Sequence, residues 1–269
     1  MCHHCVTESV KRRMLSRRDL LRTAPLAAAA PALAALPAAA GEGRRVVDLT
    51  HALHPAFPTY FGEPGFAAEQ AFNFADHGFN LMNLTINEHT GTHLDAPLHF
   101  SADGQSVDEV PAERLVAPVA VIDIRARAAE QPDAQVTPED VANWTRTHGD
   151  LPPNSCVAML SGWGDRVDGP GFRNADANGV MHFPGFHAET ARMLMEETGA
   201  IGLAVDTLSL DHGPSADFAA HYAWLPTNRW GLENVANLEA LPPSGATMIV
   251  GAPKHRGGTG GPARVLALV

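Results

Sequence analysis

Seven short runs of apolar and β-branched residues punctuate the chain: Arg45 to Leu49, Leu81 to Asn87, Val119 to Ile124, Val157 to Leu160, Ile201 to Val205, Thr247 to Val250 and Arg264 to Leu268. Runs of this length and composition read as strands, because β-branched side chains pack well on a pleated surface. Two intervening stretches carry helix signals instead. Thr137-Pro138-Glu139-Asp140 offers an N-cap residue, a first-turn proline and early acids, and His187 to Thr198 closes before Gly199. Pro and Gly cluster at 55–65, 162–171 and 251–262, which read as loops. The alternation predicts a mixed α/β chain without internal repeats or an interdomain linker. Its 269 residues suit one domain better than two.

The first 40 residues break this pattern. Lys11-Arg12-Arg13-Met14-Leu15-Ser16-Arg17-Arg18-Asp19-Leu20-Leu21-Arg22 gives way to Ala, Leu and Pro as far as Ala38-Ala39-Ala40. A basic start, an apolar middle and a small-residue end form an export signal, and Arg17-Arg18 matches the twin-arginine kind. The competing reading is a membrane anchor. The Ala-rich span from Ala24 to Ala40 is interrupted by Pro25, Pro31 and Pro37 and falls short of the roughly 20 residues a bilayer requires. Cleavage after Ala40 is therefore expected, leaving residues 41–269 as one periplasmic or extracellular domain with no stable membrane anchor. Met1 and Met14 are both candidate starts, and the Cys2-His3-His4-Cys5 knuckle would leave with the signal.

That cleavage changes the charge. Of 19 basic and 30 acidic side chains, six and two lie in residues 1–40, so the remainder holds 13 and 28, a net charge near −15. Such a surface excludes nucleic acid and anionic membranes as natural partners. Cys156 is the one cysteine left, in the apolar run Cys156-Val157-Ala158-Met159-Leu160, where an inert buried thiol is expected.

Twelve of the 14 histidines lie beyond residue 40, and His89, His93 and His99 fall within eleven residues that also contain Asp95. Imidazole and carboxylate groups hold divalent metals such as zinc and manganese. Gly91 permits a turn between them, Pro97 stiffens the exit, and strand Leu81 to Asn87 would give the loop a rigid base. Histidines decorating a surface loop are the bland alternative, but this density with an intervening Gly and Asp favours a metal site. Spacing alone leaves open which of the three histidines is not a ligand. A hydrolase also needs a base near the metal, and His99 lies beyond Pro97, where it can face the site from another side.

The segment His89-Thr90-Gly91-Thr92-His93-Leu94-Asp95-Ala96-Pro97-Leu98-His99 resembles the His-x-Gly-Thr-His-x-Asp-x-Pro-x-His pattern of the cyclase family, which includes bacterial kynurenine formamidases, isatin hydrolases and lactone hydrolases. Val47-Asp48-Leu49-Thr50-His51 is similar to the family's opening strand. Val205-Asp206-Thr207-Leu208-Ser209-Leu210-Asp211 resembles its Asp-Thr-x-Ser-x-Asp stretch, and Gly258 to Arg264 its closing Gly-x-Gly-x-Pro-x-Arg. The resemblance implies a swivelling β/β/α fold and association at least as a homodimer. It also implies one or two divalent ions, zinc or manganese, on His89, His93, Asp95, His221 and Glu233, with His99 as the catalytic acid/base. His221 and Glu233 enter through the family's His and Glu twelve positions apart.

The implied activity is hydrolysis of an aryl formamide or of a cyclic amide or ester carbonyl in a small aromatic molecule, with arylformamidase first. Export counts against a role in tryptophan breakdown and favours an isatin or lactone hydrolase as second reading. A periplasmic metal- or ligand-binding module without turnover is the alternative from another class. Phe57, Tyr60, Phe61 and Trp163 are candidates to clamp an aromatic ring, against ordinary core packing. His182 and His187 read as helix-entry residues. The glycines at 257–261 make no phosphate loop, and no Gly-x-Ser-x-Gly elbow is present.

Overall fold

The computed structural model describes residues 45–269; the expected export signal lies outside the described residues. These fall into two units, residues 67–85 and residues 45–66 together with 86–269. In chain order the strands are β1 (Val46–Asp48), β2 (Phe66–Phe72), β3 (Leu81–Ile86), β4 (His93–Asp95), β5 (Val116–Asp123), β6 (Gln135–Val136), β7 (Cys156–Leu160), β8 (Gly185–Phe186), β9 (Gly202–Val205), β10 (Trp230–Glu233), β11 (Thr247–Gly251), β12 (Gly260–Pro262) and β13 (Arg264–Leu268). The α-helices are α1 (Phe74–His77), α2 (Arg125–Glu130), α3 (Pro138–His148), α4 (Ala188–Glu197) and α5 (Ala219–Trp224).

Nine strands of the larger unit form one sheet in the order β1-β13-β11-β5-β7-β9-β10-β4-β12. Its middle, β5, β7, β9 and β10, is parallel, and the flanks are antiparallel. The period-two geometry of a strand explains the core. Along β7, Cys156, Ala158 and Leu160 enter one apolar cluster, while Val157 and Met159 enter another on the opposite face. The second cluster is closed by Val141 and Trp144 of α3, Ala191 and Leu194 of α4, and Trp224 of α5. The first is closed by the sheet itself, since Val47 of β1 and Leu94 of β4 share it although they lie near opposite ends of the strand order. A hydrogen bond from the Ala236 amide to the Leu49 carbonyl joins those ends.

The helix signals are realised. Thr137 caps α3 in a reciprocal capping box with Asp140, Pro138 occupies the first turn, and Gly149 follows with φ 88°. His187 caps α4 through the Glu189 amide, whereas His182 bonds Asp133 and enters no helix. Buried in β7, Cys156 has its thiol pushed up by desolvation, as an inert core thiol should.

The smaller unit is a hairpin in which β2 pairs with β3, the two joined across α1. Strand β3 has this single partner, so it is not the sheet-borne base expected for the histidine loop. The motif's own residues 93–95 form a strand of the large sheet instead. One unit holds the whole nine-stranded sheet and the three apolar clusters, and the hairpin is too small for a core of its own. The α/β single-domain expectation stands on that. Among the described residues no helix is long and apolar enough to cross a membrane.

Candidate active site and metal centre

Strand β4 builds the centre. Side chains two apart share a face, so His93 and Asp95 project together while Leu94 enters the core. Antiparallel pairing sets Glu233 of β10 opposite His93 and Gly231 opposite Asp95. Gly231 leaves the room the carboxylate needs, since a Cβ there would come within 3.3 Å of Asp95 Oδ2. On the other side, Gly260 of β12 faces Asp95, and its Cβ would lie 2.7 Å from the His89 ring. Gly91 turns the chain between His89 and His93 with φ 65°.

The remaining groups come from the loops at the carboxyl ends of the parallel strands, the usual place for a site in such sheets. After β9, Asp206 accepts hydrogen bonds from the Ser161 hydroxyl and from the amides of Ser161, Gly162 and Trp163, pinning that loop. Burial holds its carboxyl up at about 6. Five residues on, Asp211 accepts from the amides of Ala220 and His221, capping α5, and takes His221 Nδ1 at 2.5 Å. The 3-10 turn Pro97–Phe100 brings His99 over His89, their rings stacked with centroids 3.7 Å apart.

Proton accounting shows what this cluster requires. His93 Nδ1 meets the Gly91 carbonyl at 2.8 Å and must donate. His221 Nδ1 likewise donates to Asp211, whose carboxyl is kept low against the pull of burial by its hydrogen bonds. His89 Nε2 lies 2.9 Å from Thr259 Oγ1, and that hydroxyl spends its own hydrogen on Glu88 Oε2 at 2.5 Å. It can only accept from His89. All three outer nitrogens therefore carry a proton, so a neutral imidazole at each position would present its inner nitrogen to a carboxylate as a lone pair. His89 Nδ1 is 2.7 Å from Asp95 Oδ1, His93 Nε2 3.4 Å from both Asp95 and Glu233, and His221 Nε2 3.1 Å from Glu233.

Lone pairs facing carboxylates at such distances call for positive charge between them. Burial disfavours an imidazolium, but Asp95 and Glu233 outweigh it at His93 and lift its pKa to about 10. Together with Asp211 they also drive His221 upward. His93 Nε2 and Asp95 Oδ2 are buried with no hydrogen-bond partner. A divalent cation answers the same demand, with each imidazole backed by an acceptor as metal-binding histidines usually are. Among the described residues two sets of donor atoms are compact enough for an ion, His89–Asp95–His99 and His93–Asp95–Glu233, each within 4.8 Å, and Asp95 belongs to both.

The structure thus gathers His89, His93, Asp95, His99, His221 and Glu233 at one place. It adds Asp211, Thr259 and Glu88 behind them: Asp211 and Thr259 stand in stretches that resemble family motifs but had no role assigned, and Glu88 was not singled out. Replacing Thr259 by Val, which keeps its shape, should turn His89 loose and weaken metal affinity about 10- to 100-fold, with Thr259→Ser retaining it. Competition with a chelator measures the change.

His89, His93, His99, His221 and Glu233 line a cavity of about 340 Å³. Its apolar wall comes from Tyr60, Phe61, Phe100 and Phe218. Tyr60 and Phe100 pack against Phe218, with centroids 5.7 and 5.4 Å away. Phe218 holds a left-handed backbone, φ 50°, a conformation costly for an aromatic residue and found mainly where function demands it. Of the four aromatic candidates, Tyr60 and Phe61 line the cavity. Phe57 and Trp163 do not: Phe57 is buried against His51, His54 and Phe172, and Trp163 against Phe172, Phe183 and Leu208.

Fold and site together are those of a metal-dependent hydrolase. Comparison with known proteins agrees, and the chain belongs to the cyclase family: the family model described as "Putative cyclase" matches residues 47–212. An isatin hydrolase of Roseibium aggregatum is 33% identical over 243 residues, 83% of this chain and 91% of that protein. A kynurenine formamidase of Salinibacter ruber is 29% identical over 223 residues, 82% and 96% of the two chains. Among solved structures, isatin hydrolase A of Ralstonia solanacearum superposes with a TM-score of 0.80 at 35% identity, covering 91% of this chain and 100% of its own.

Proposed function

We propose that this protein hydrolyses the carbonyl–nitrogen bond of an amide carried on an aromatic ring, a fused lactam of the isatin type first and an aryl formamide second. One observation carries the proposal: a buried cluster that demands a cation shares its cavity with an aromatic wall. Both substrate readings fit the family, and the higher identity to an isatin hydrolase than to a kynurenine formamidase supports the order.

His89, His93, Asp95, His221 and Glu233 are the proposed holders of one or two ions, zinc or manganese, since imidazole and carboxylate suit both. A divalent cation there supplies Lewis acidity, polarising a carbonyl and making water acidic near neutral pH. His99 moves the proton. Burial, reinforced by the neighbouring His89 and His221, brings its pKa down to about 4, so at neutral pH it is a free base. It takes a proton from the attacking water and hands it to the leaving nitrogen. Tyr60, Phe61, Phe100 and Phe218 orient the ring and keep bulk water from the reacting carbon.

Export by the twin-arginine route and a homodimer complete the proposal. The first rests on Arg17-Arg18, and the second is supported by the exposed apolar side chains Leu81, Met82, Leu84 and Ile86 of β3. The test is direct: protein loaded with zinc or manganese is offered isatin, formanilide and an aryl lactone. Turnover of an amide is expected; indifference to both amides overturns the proposal.

A further inference from the structure

Two residues of the cavity wall each carry a buried polar atom that is left over once the reacting groups are accounted for. Asn234 is 2% exposed and lines the cavity, yet its Oδ1 is buried without a hydrogen-bond partner. The amide cannot be turned around to relieve this. Its Nδ2 donates to the Gly91 carbonyl at 2.9 Å, and a flip would set oxygen against oxygen. The backbone is committed as well: Asn234 has φ 55°, its amide donates to Thr207, and its carbonyl accepts from the Thr92 hydroxyl. Thr90 is also 2% exposed, lines the same cavity, and has an Oγ1 with no partner. It precedes the Gly91 that Asn234 holds. A Cβ on Gly65 would come within 2.5 Å of that hydroxyl, so the glycine keeps it clear.

A buried acceptor without a donor costs stability, and native proteins rarely keep one unless something else satisfies it. Asn234 Oδ1 can only accept. What it lacks is a hydrogen-bond donor in a cavity whose polar end reaches carbonyl-directed chemistry through the adjacent Glu233. We infer that Asn234 is a specificity residue that accepts a hydrogen bond from the N–H of a secondary amide or lactam substrate, with the Thr90 hydroxyl offering the second polar contact to a substrate oxygen. This rests on the proposed hydrolase function and narrows it, from aromatic amides in general to those whose acyl group is carried on an N–H. A lactone puts a ring oxygen where the donor should be, so two acceptors would face one another.

The experiment compares kcat/KM of the metal-loaded protein on isatin, N-methylisatin and 2-coumaranone, a lactone of similar shape. Asn234→Gly suits the left-handed backbone and removes the acceptor. It should lower the preference for isatin over N-methylisatin and 2-coumaranone about 10- to 100-fold, the worth of one buried acceptor's partner, while the loss of the bond to Gly91 acts on all three substrates alike. Thr90→Val leaves the Asn234 acceptor and its bond to Gly91 in place and should retain the preference for isatin over N-methylisatin. Thermal unfolding of both variants shows whether they fold. General damage to the site lowers all three substrates in parallel; that outcome, or an unchanged preference in Asn234→Gly, overturns the assignment while leaving the hydrolase function standing. Hydrolysis of the lactone but of no amide by the native protein would remove both.

Discussion

Asp95→Asn is expected to strip the protein of its metal and take activity to background while the fold survives. Asp95 is wholly buried, faces His89 and His93 through Oδ1 and His221 through Oδ2, and belongs to both sets of donors compact enough for an ion. Among the described residues no other belongs to both sets. The amide keeps the shape but removes the charge that draws a cation, and its NH₂ group must point a donor toward bare imidazole nitrogens or toward the cation itself. The loss should exceed the 10- to 100-fold seen when groups behind metal ligands are removed. Metal content after dialysis, read alongside circular dichroism, checks it. A variant that retains stoichiometric metal would sink the picture of a carboxylate shared between two donor sets.

His99→Ala should separate catalysis from metal holding. The ring stacks on His89 without a hydrogen bond to any carboxylate, and burial keeps it neutral. If it moves the proton, kcat falls about 10²- to 10⁴-fold while the metal stays. His99 also lies within reach of an ion shared with His89 and Asp95. Loss of metal in parallel with activity would make it a ligand and leave proton transfer to another group. Unaltered turnover would remove it from the chemistry, and a molecule that never turned over would be the binding module raised as an alternative.

How far the chain announced this can be judged from particular elements. The strands of the parallel middle, β5, β7 and β9, were legible because each is an apolar run buried on both faces, and hydropathy alone marks such runs. Strands β4, β10 and β12 escaped notice. They are three or four residues long, polar or glycine-rich, and are strands only because partners far along the chain pair with them. The site divides the same way. His89, His93, Asp95 and His99 stand together in eleven residues, so density betrays them. His221 and Glu233 were reached through family resemblance alone, since nothing in a buried helix residue or a strand-end acid singles it out. Thr259 meets Glu88 across 171 positions and Asn234 meets Gly91 across 143, contacts that no local pattern encodes. Which aromatics face the cavity was equally hidden, because Phe57 and Phe61 sit in the same loop and one is 4% exposed while the other is 83%.

The glycines on either side of β4 carry an implication for how this scaffold diversifies. A methyl group on Gly260 would run into the Leu94 carbonyl and the His89 ring, and one on Gly231 would crowd Leu210 and Asp95, so the ion-binding floor resists resizing from its neighbours. Segment 58–65 contributes Tyr60, Phe61 and Gly65 to the rim without supplying one proposed ligand. New substrate ranges within this architecture should therefore arise by exchanging that stretch, and a transplanted version of it should change which rings are admitted while metal stoichiometry stays the same.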